Sequence, residues 1–213
     1  MEVMDLSSIY LNTIRKDAVY IAKHKGFVLA ICKDMNAEDP RAWDNLGRMV
    51  CFHTKYELGD TDHGFNKNDF SDWEELRQAI IERDDPVVIY PLYLFDHSGI
   101  TIKIGPFSGP DAYWDSGQVG YIYTTKEDIR NIYGIKRVTQ KYIKLAEQAL
   151  QEEVELYDKF LRGEVYGYIL EDEKGNEIDS CWGFYGWNLD ENGIRESLGE
   201  YAFLLEHLKD VHP

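Results

Sequence analysis

Strand–turn–strand patterns recur along this chain, and they restrict its fold more than any other feature. Apolar runs at Ala18–Lys23 and Phe27–Cys32 flank His24-Lys25-Gly26, and Val165–Leu170 and Ile178–Phe184 flank a turn at Gly175-Asn176. Each pair reads as a hairpin, because β-forming runs broken by a short turn favour antiparallel return. Val87–Phe95 is apolar apart from its tyrosines and Pro91, and Ile100, Ile102 and Ile104 then alternate with Thr101 and Lys103. That period of two marks a strand with one buried face, and it puts Asp96–Gly99 at the turn between two strands. Leu46–His53 and Gly117–Tyr123 supply two more strands.

Helical signals fall between these hairpins. Ser71 followed by Glu74 has the spacing of a capping box, and Trp73, Leu76, Ile80 and Ile81 extend a helical period to about Arg83, before Pro86. Thr125 and Asp128 open a short helix that ends at Gly134. Tyr142, Leu145, Ala149, Leu156 and Phe160 outline the longest helix, from Val138 to Leu161, with Gly163 as its stop. A last amphipathic helix is expected over about Asn192–Leu208. Together these predict an α+β fold, a mainly antiparallel sheet built of hairpins with three to four helices packed on it. No repeat or long linker divides the 213 residues, so one domain over 1–213 is expected, with 1–16 as a loosely packed arm.

Charge narrows the classes of function. The chain carries a formal charge of −16, and residues 151–213 hold 16 acids against 5 bases. Binding nucleic acid through its phosphates requires a basic surface, so direct nucleic-acid binding is not expected. A surplus of carboxylates suits solubility, or docking onto a basic partner, for which Glu171, Asp172 and Glu173 are the candidate contacts. No run approaches the apolar length of a membrane span, and the first residues lack the pattern of a secretion signal. Three cysteines (Cys32, Cys51 and Cys181) cannot all pair within one chain. The expectation is a reduced, cytoplasmic protein.

Three polar strings beside β-forming sequence carry the chemistry: Asp96-His97-Ser98-Gly99, Trp114-Asp115-Ser116-Gly117-Gln118 and Asp179-Ser180-Cys181-Trp182-Gly183. Neighbours on a strand face opposite ways, so Asp96, His97 and Ser98 cannot form a relay among themselves; His97 would have to meet a group from another segment. Asp96, His97, Asp115 and Cys181 are the catalytic candidates if the protein is an enzyme. Ser98, Ser116, Gln118, Asp179 and Trp182 are the candidates for holding a ligand. A nucleophilic Cys181 would need an imidazole to lower its pKa, from His97 or His53. The competing expectation is turn chemistry for Asp96–Gly99 and Asp115, and a buried small hydrophobe for Cys181. Cys51 and His53 share one face of a strand, but no zinc-type spacing accompanies them, and neither a metal nor a cofactor is expected.

The stretches Leu46–Gly59 (LGRMVCFHTKYELG), Pro91–Gly99 (PLYLFDHSG), Trp114–Tyr123 (WDSGQVGYIY) and Gly163–Gly186, with its DSCWGFYG, resemble a family of uncharacterised proteins of phage, prophage and plasmid genomes. The resemblance implies a genomic setting, with no reaction attached. By analogy with small acidic proteins of mobile elements, it implies an accessory protein that antagonises host defence, of the anti-restriction or anti-CRISPR kind. Such a protein would bind a basic, nucleic-acid-handling host protein, and catalysis is not the leaning. The alternative is a small enzyme or ligand-binding protein whose site gathers the three polar strings. Convergence of those strings in one pocket separates the two readings.

Overall fold

The fold is that of a computed structural model, described for residues 18–109 and 111–211. The arm expected at 1–16, Pro110 and His212 lie outside the described residues. In chain order the elements are β1 (Ala18–His24), β2 (Phe27–Lys33), β3 (Arg48–Cys51), α1 (Trp73–Asp84), β4 (Pro86–Asp96), β5 (Ile100–Ile104), α2 (Ala112–Asp115), β6 (Ser116–Thr125), α3 (Lys126–Tyr133), α4 (Gln140–Leu161), β7 (Val165–Asp172), β8 (Glu177–Tyr185), α5 (Ile194–Leu198), a 3-10 segment (Gly199–His207) and β9 (Lys209–Asp210). All strand pairing is antiparallel, and the fold is α+β. The chain forms two compact units, one of residues through Glu38 plus Gly163 onward, the other of Asp39–Arg162.

The first unit has a five-stranded sheet in the order β8-β7-β2-β1-β9. Leu29, Ile31, Tyr168 and Leu170 alternate onto one face, where they bury Ile194, Leu198 and Leu204 of α5 and the 3-10 segment. The opposite face carries a smaller cluster of Ala18, Ala30 and Cys32, with Ile169 and Trp182 against it. Here the expected Asn192–Leu208 helix is corrected. Only Ile194–Leu198 is α-helical, because Gly199 takes φ +53°, ψ −119° and breaks the ladder, and a 3-10 segment continues to His207.

The second unit has a four-stranded sheet, β3-β6-β4-β5, with helices on both faces. Met49, Leu92, Leu94 and Ile122 face α4, whereas Val50, Tyr121 and Tyr123 face Leu76 and Ile80 of α1. A sheet covered on both sides needs strands without polar alternation, which explains the unbroken apolar run of β6. Two helix details differ from expectation. Asp72 caps α1 in place of Ser71: its side chain accepts from the Glu75 N–H, and the Glu75 carboxylate accepts from the Ser71 N–H. The buried stripe of α4 is Ala146, Leu150, Val154 and Tyr157, so Leu145 is left 37% exposed. Thr125 and Asp128 form the capping box of α3 as the spacing predicts, and Gly134 ends it at φ +62°.

Candidate functional site

Strand pairing brings two of the three polar strings together. In the β4–β6 ladder Tyr93 lies opposite Gln118, Leu94 opposite Gly117 and Phe95 opposite Ser116. One further step in that register sets Asp96 against Asp115, so the two strings, about twenty residues apart in sequence, flank the same end of the sheet. The pairing skips Val119 between Gly120 and Gln118, a bulge that turns the start of β6 beside this end. Gly120 sits where β3 comes closest: a Cβ there would lie 1.9 Å from the Val50 carbonyl oxygen.

His97 and Asp115 meet at this end, with 2.8 Å between Nδ1 and the Asp115 carboxylate. An ionised carboxylate only accepts, so the imidazole donates from Nδ1 and its Nε2 is left as the acceptor when the ring is neutral. Ser98 at φ +56° and Gly99 at φ +140° form the left-handed turn that carries His97 past the end of β4. Asp115 ends α2, a single turn in which the Ser116 hydroxyl donates to the Ala112 carbonyl. Phe95 supports the imidazole at 5.9 Å between rings.

Beside this pair, the Asp96 carboxylate accepts from Lys55 Nζ at 3.0 Å and from the Tyr56 hydroxyl at 3.2 Å. The Lys55 hydrogen bond, with help from Tyr56 and the Lys55 charge, outweighs desolvation and holds the Asp96 carboxyl below the usual range. His53 stacks on Tyr56, its ring centroid 5.0 Å away, and its Nδ1 accepts from the Lys55 N–H. Partial burial, aided by Lys55 and Lys67, lowers the His53 pKa against the pull of Asp96, so this ring favours its neutral form. His53, Lys55, Asp96, Trp114, Asp115, Ser116 and Gln118 line an open recess of about 310 Å³. The Trp114 side chain is 82% exposed beside it, a flat apolar face next to hydrogen-bonding groups. The recess therefore combines a stacking surface, the His53 ring and a lysine–carboxylate pair, and one of its lining residues, Asp115, holds the His97 imidazole.

The third string is in the first unit, and its residues have structural partners. The Asp179 carboxylate accepts from the Tyr168 hydroxyl at 2.6 Å, and that hydroxyl also meets Ser197 Oγ at 3.0 Å. Trp182 lies over Gly167, where a Cβ would come within 2.2 Å of the indole ring. Cys181 Sγ contacts the Trp182 carbonyl at 4.0 Å, and the two histidines considered for it, His97 and His53, belong to the other unit. The proposed partner contacts are corrected as well. Glu171 is 7% exposed, and burial, then the neighbouring Glu177 and Asp172 charges, push its carboxyl upward. Asp172 accepts from the backbone of Lys174 and Asn176 and so closes the β7–β8 turn, and only Glu173 of the three is freely exposed.

Sequence reading missed a second cluster, the buried one around Arg41. Its side chain is 3% exposed and donates to Asp60 at 2.8 Å, Glu153 at 3.1 Å and the Gly47 carbonyl at 2.6 Å. Asp60 also accepts from the Met49 N–H, and Glu153 from the N–H groups of Leu46 and Gly47. Burial pushes the Glu153 carboxyl up, and Arg41 and those donors pull it back. Arg41 and Glu153 are 112 positions apart, so no local spacing announces the pair. Burial also pushes the Cys51 thiol up to about 12, and among the described residues no group of three or more His, Cys, Asp or Glu is placed to hold a metal. No described helix is long and apolar enough to cross a membrane. Set against family models, curated proteins and solved structures, the chain matches none of them.

Proposed function

We propose that the recess at the β4–β6 end binds a small planar ligand with a polar edge, and that His97 is its acid–base group. The carrying observation is the 2.8 Å contact of His97 Nδ1 with Asp115, which ties a solvent-accessible imidazole to the residue that follows the exposed Trp114 in the lining of the recess. An aromatic face next to a few convergent polar groups is the usual composition of a small-ligand site. Base-like heterocycles match it: the ring stacks on Trp114, and its edge meets His97, Gln118 and Lys55. Titrating the protein with adenosine, guanosine, cytidine and uridine, followed by NMR of the His97 and Trp114 rings, tests this. Joint movement of both rings, weakened in Asp115→Asn and lost in Trp114→Ala, is expected. Rings that stay still with all four nucleosides overturn the reading.

A second reading keeps the role of a mobile-element accessory protein that antagonises host defence by docking on a basic protein. It is favoured by the first unit, whose described residues hold 14 acids against 6 bases. Glu173, Glu191 and Glu200 are exposed there and free for a partner in a way that Glu171 is not. Cleavage of DNA by a restriction endonuclease or a CRISPR nuclease, with and without the protein at low salt, tests this reading. Inhibition that disappears when the three glutamates become lysine supports it, and unchanged cleavage by both enzymes overturns it.

A further inference from the structure

The second unit contains a cationic strip that contrasts with the charge of the whole chain. From Ile129 to Ala146 there is no acid, and Arg130, Lys136, Arg137, Lys141 and Lys144 are all exposed. None of the five makes an ion pair among the described residues. The strip is held as a surface by its own apolar residues. Ile129 is buried, Ile135, Val138 and Ile143 pack on the core, and the Tyr133 and Tyr142 rings sit 5.6 Å apart to join α3 to α4. Two apolar side chains do not turn inward: Ile132 is 49% exposed and Leu145 37%. Gln140, Lys141, Lys144, Leu145 and Gln148 line a shallow recess of about 430 Å³ on α4.

We infer that this strip is a docking surface for an acidic segment of a partner protein, one that carries apolar side chains among its carboxylates. Charge complementarity selects an anionic occupant, since five unpaired cations repel one another until a counter-charge arrives. The exposed Ile132 and Leu145 distinguish a peptide from a nucleic acid, because a phosphate backbone offers no apolar partner for them. A polyanion with a charge every ~1.7 Å would also run beyond the strip onto a molecule of charge −16, and would be repelled there. A short acidic peptide ends before that. This surface is separate from the His97 recess, and it expects a partner of opposite charge to the one the first unit would bind.

The test uses the full chain with three fluorescent probes: a peptide alternating Glu or Asp with Leu or Phe, a polyglutamate of equal charge, and a single-stranded DNA. The alternating peptide is expected to bind best, with an affinity that falls at least ~10-fold between low and moderate salt. Lys136→Glu, Arg137→Glu, Lys141→Glu and Lys144→Glu together should abolish that binding, and Leu145→Ser should weaken the alternating peptide but not polyglutamate. These positions are exposed, and an unchanged far-UV spectrum separates lost binding from lost fold. DNA binding more tightly than either peptide, peptide binding that survives the charge reversal, or a chain whose self-association is dissolved by that reversal each overturns the assignment.

Discussion

Two charged networks in the second unit use the same kinds of group to opposite ends. The Arg41 side chain is buried and those of Asp60 and Glu153 are largely shielded, and the three bond to one another, to the Gly47 carbonyl and to the backbone N–H groups of Leu46, Gly47 and Met49. Lys55, Asp96, His97 and Asp115 sit at a strand end in contact with water; His97 is 60% and Asp115 34% exposed. The first set fastens the segment before and after β3 onto α4, and Tyr157 adds to this by accepting from the Gly59 N–H. The second set fastens little and stays open to solvent. Burial, rather than residue type, decides which of the two a charged cluster becomes, because low dielectric makes an unmatched charge costly and a matched one rigid.

The sharpest way to break this comparison is Arg41→Ala. It leaves two largely shielded carboxylates without their cation and is expected to cost about 2–4 kcal/mol in denaturant unfolding, below the fully buried case because solvent still reaches both. Adding Glu153→Gln should recover part of that loss; a cost below about 1 kcal/mol would place Arg41 among surface ion pairs. Next in size is the acid limb of stability. The Asp84 carboxylate accepts from the Tyr123 hydroxyl at 2.6 Å and from Arg83, and although burial disfavours its charge, these bonds hold its pKa below the usual value. The unfolded chain therefore takes up this proton first, and the stability Asp84 contributes is present above its unfolded pKa and lost as pH falls through the folded one. Asp84→Asn should flatten that limb in acid unfolding below about pH 4.

Thiol chemistry gives a third measurement. Cys32 is fully buried, and Cys51 is buried with its thiol raised to about 12, so neither should react with a disulfide reagent at mildly alkaline pH until the protein unfolds. Rapid labelling of Cys51 in the native state would show that the β3 edge is open. The smallest expected effect on stability is His97→Ala, within about 0.5 kcal/mol, since the Asp115 pair is exposed. The same substitution should remove nucleoside-dependent shifts at Trp114, and a large loss of stability would reassign His97 from ligand contact to turn structure.

Antiparallel strands with helices between them could be read from the sequence because period, turn residues and caps are local signals. The β1–β2 and β7–β8 hairpins, the turn at Asp96–Gly99 and the α3 capping box needed only neighbouring residues. The grouping of those strands into two sheets was not legible, since β2 pairs with β7 across more than a hundred residues. For the site, the residue types of two strings were visible, and their meeting was not. His97 reaches Asp115 only because β4 and β6 pair in one particular register.

Composition and patterning by themselves determined the fold class, the strong negative charge and the short roster of polar residues at strand ends. Tertiary structure decided what each became: Glu171 was taken inside, Asp179 was bound to Tyr168, His97 was aligned by Asp115, and Leu145 was left facing water. The physical reason is that burial and pairing are properties of neighbours in space. A chain specifies which face of an element is apolar, but packing alone determines what that face, and the polar groups at its rim, will touch.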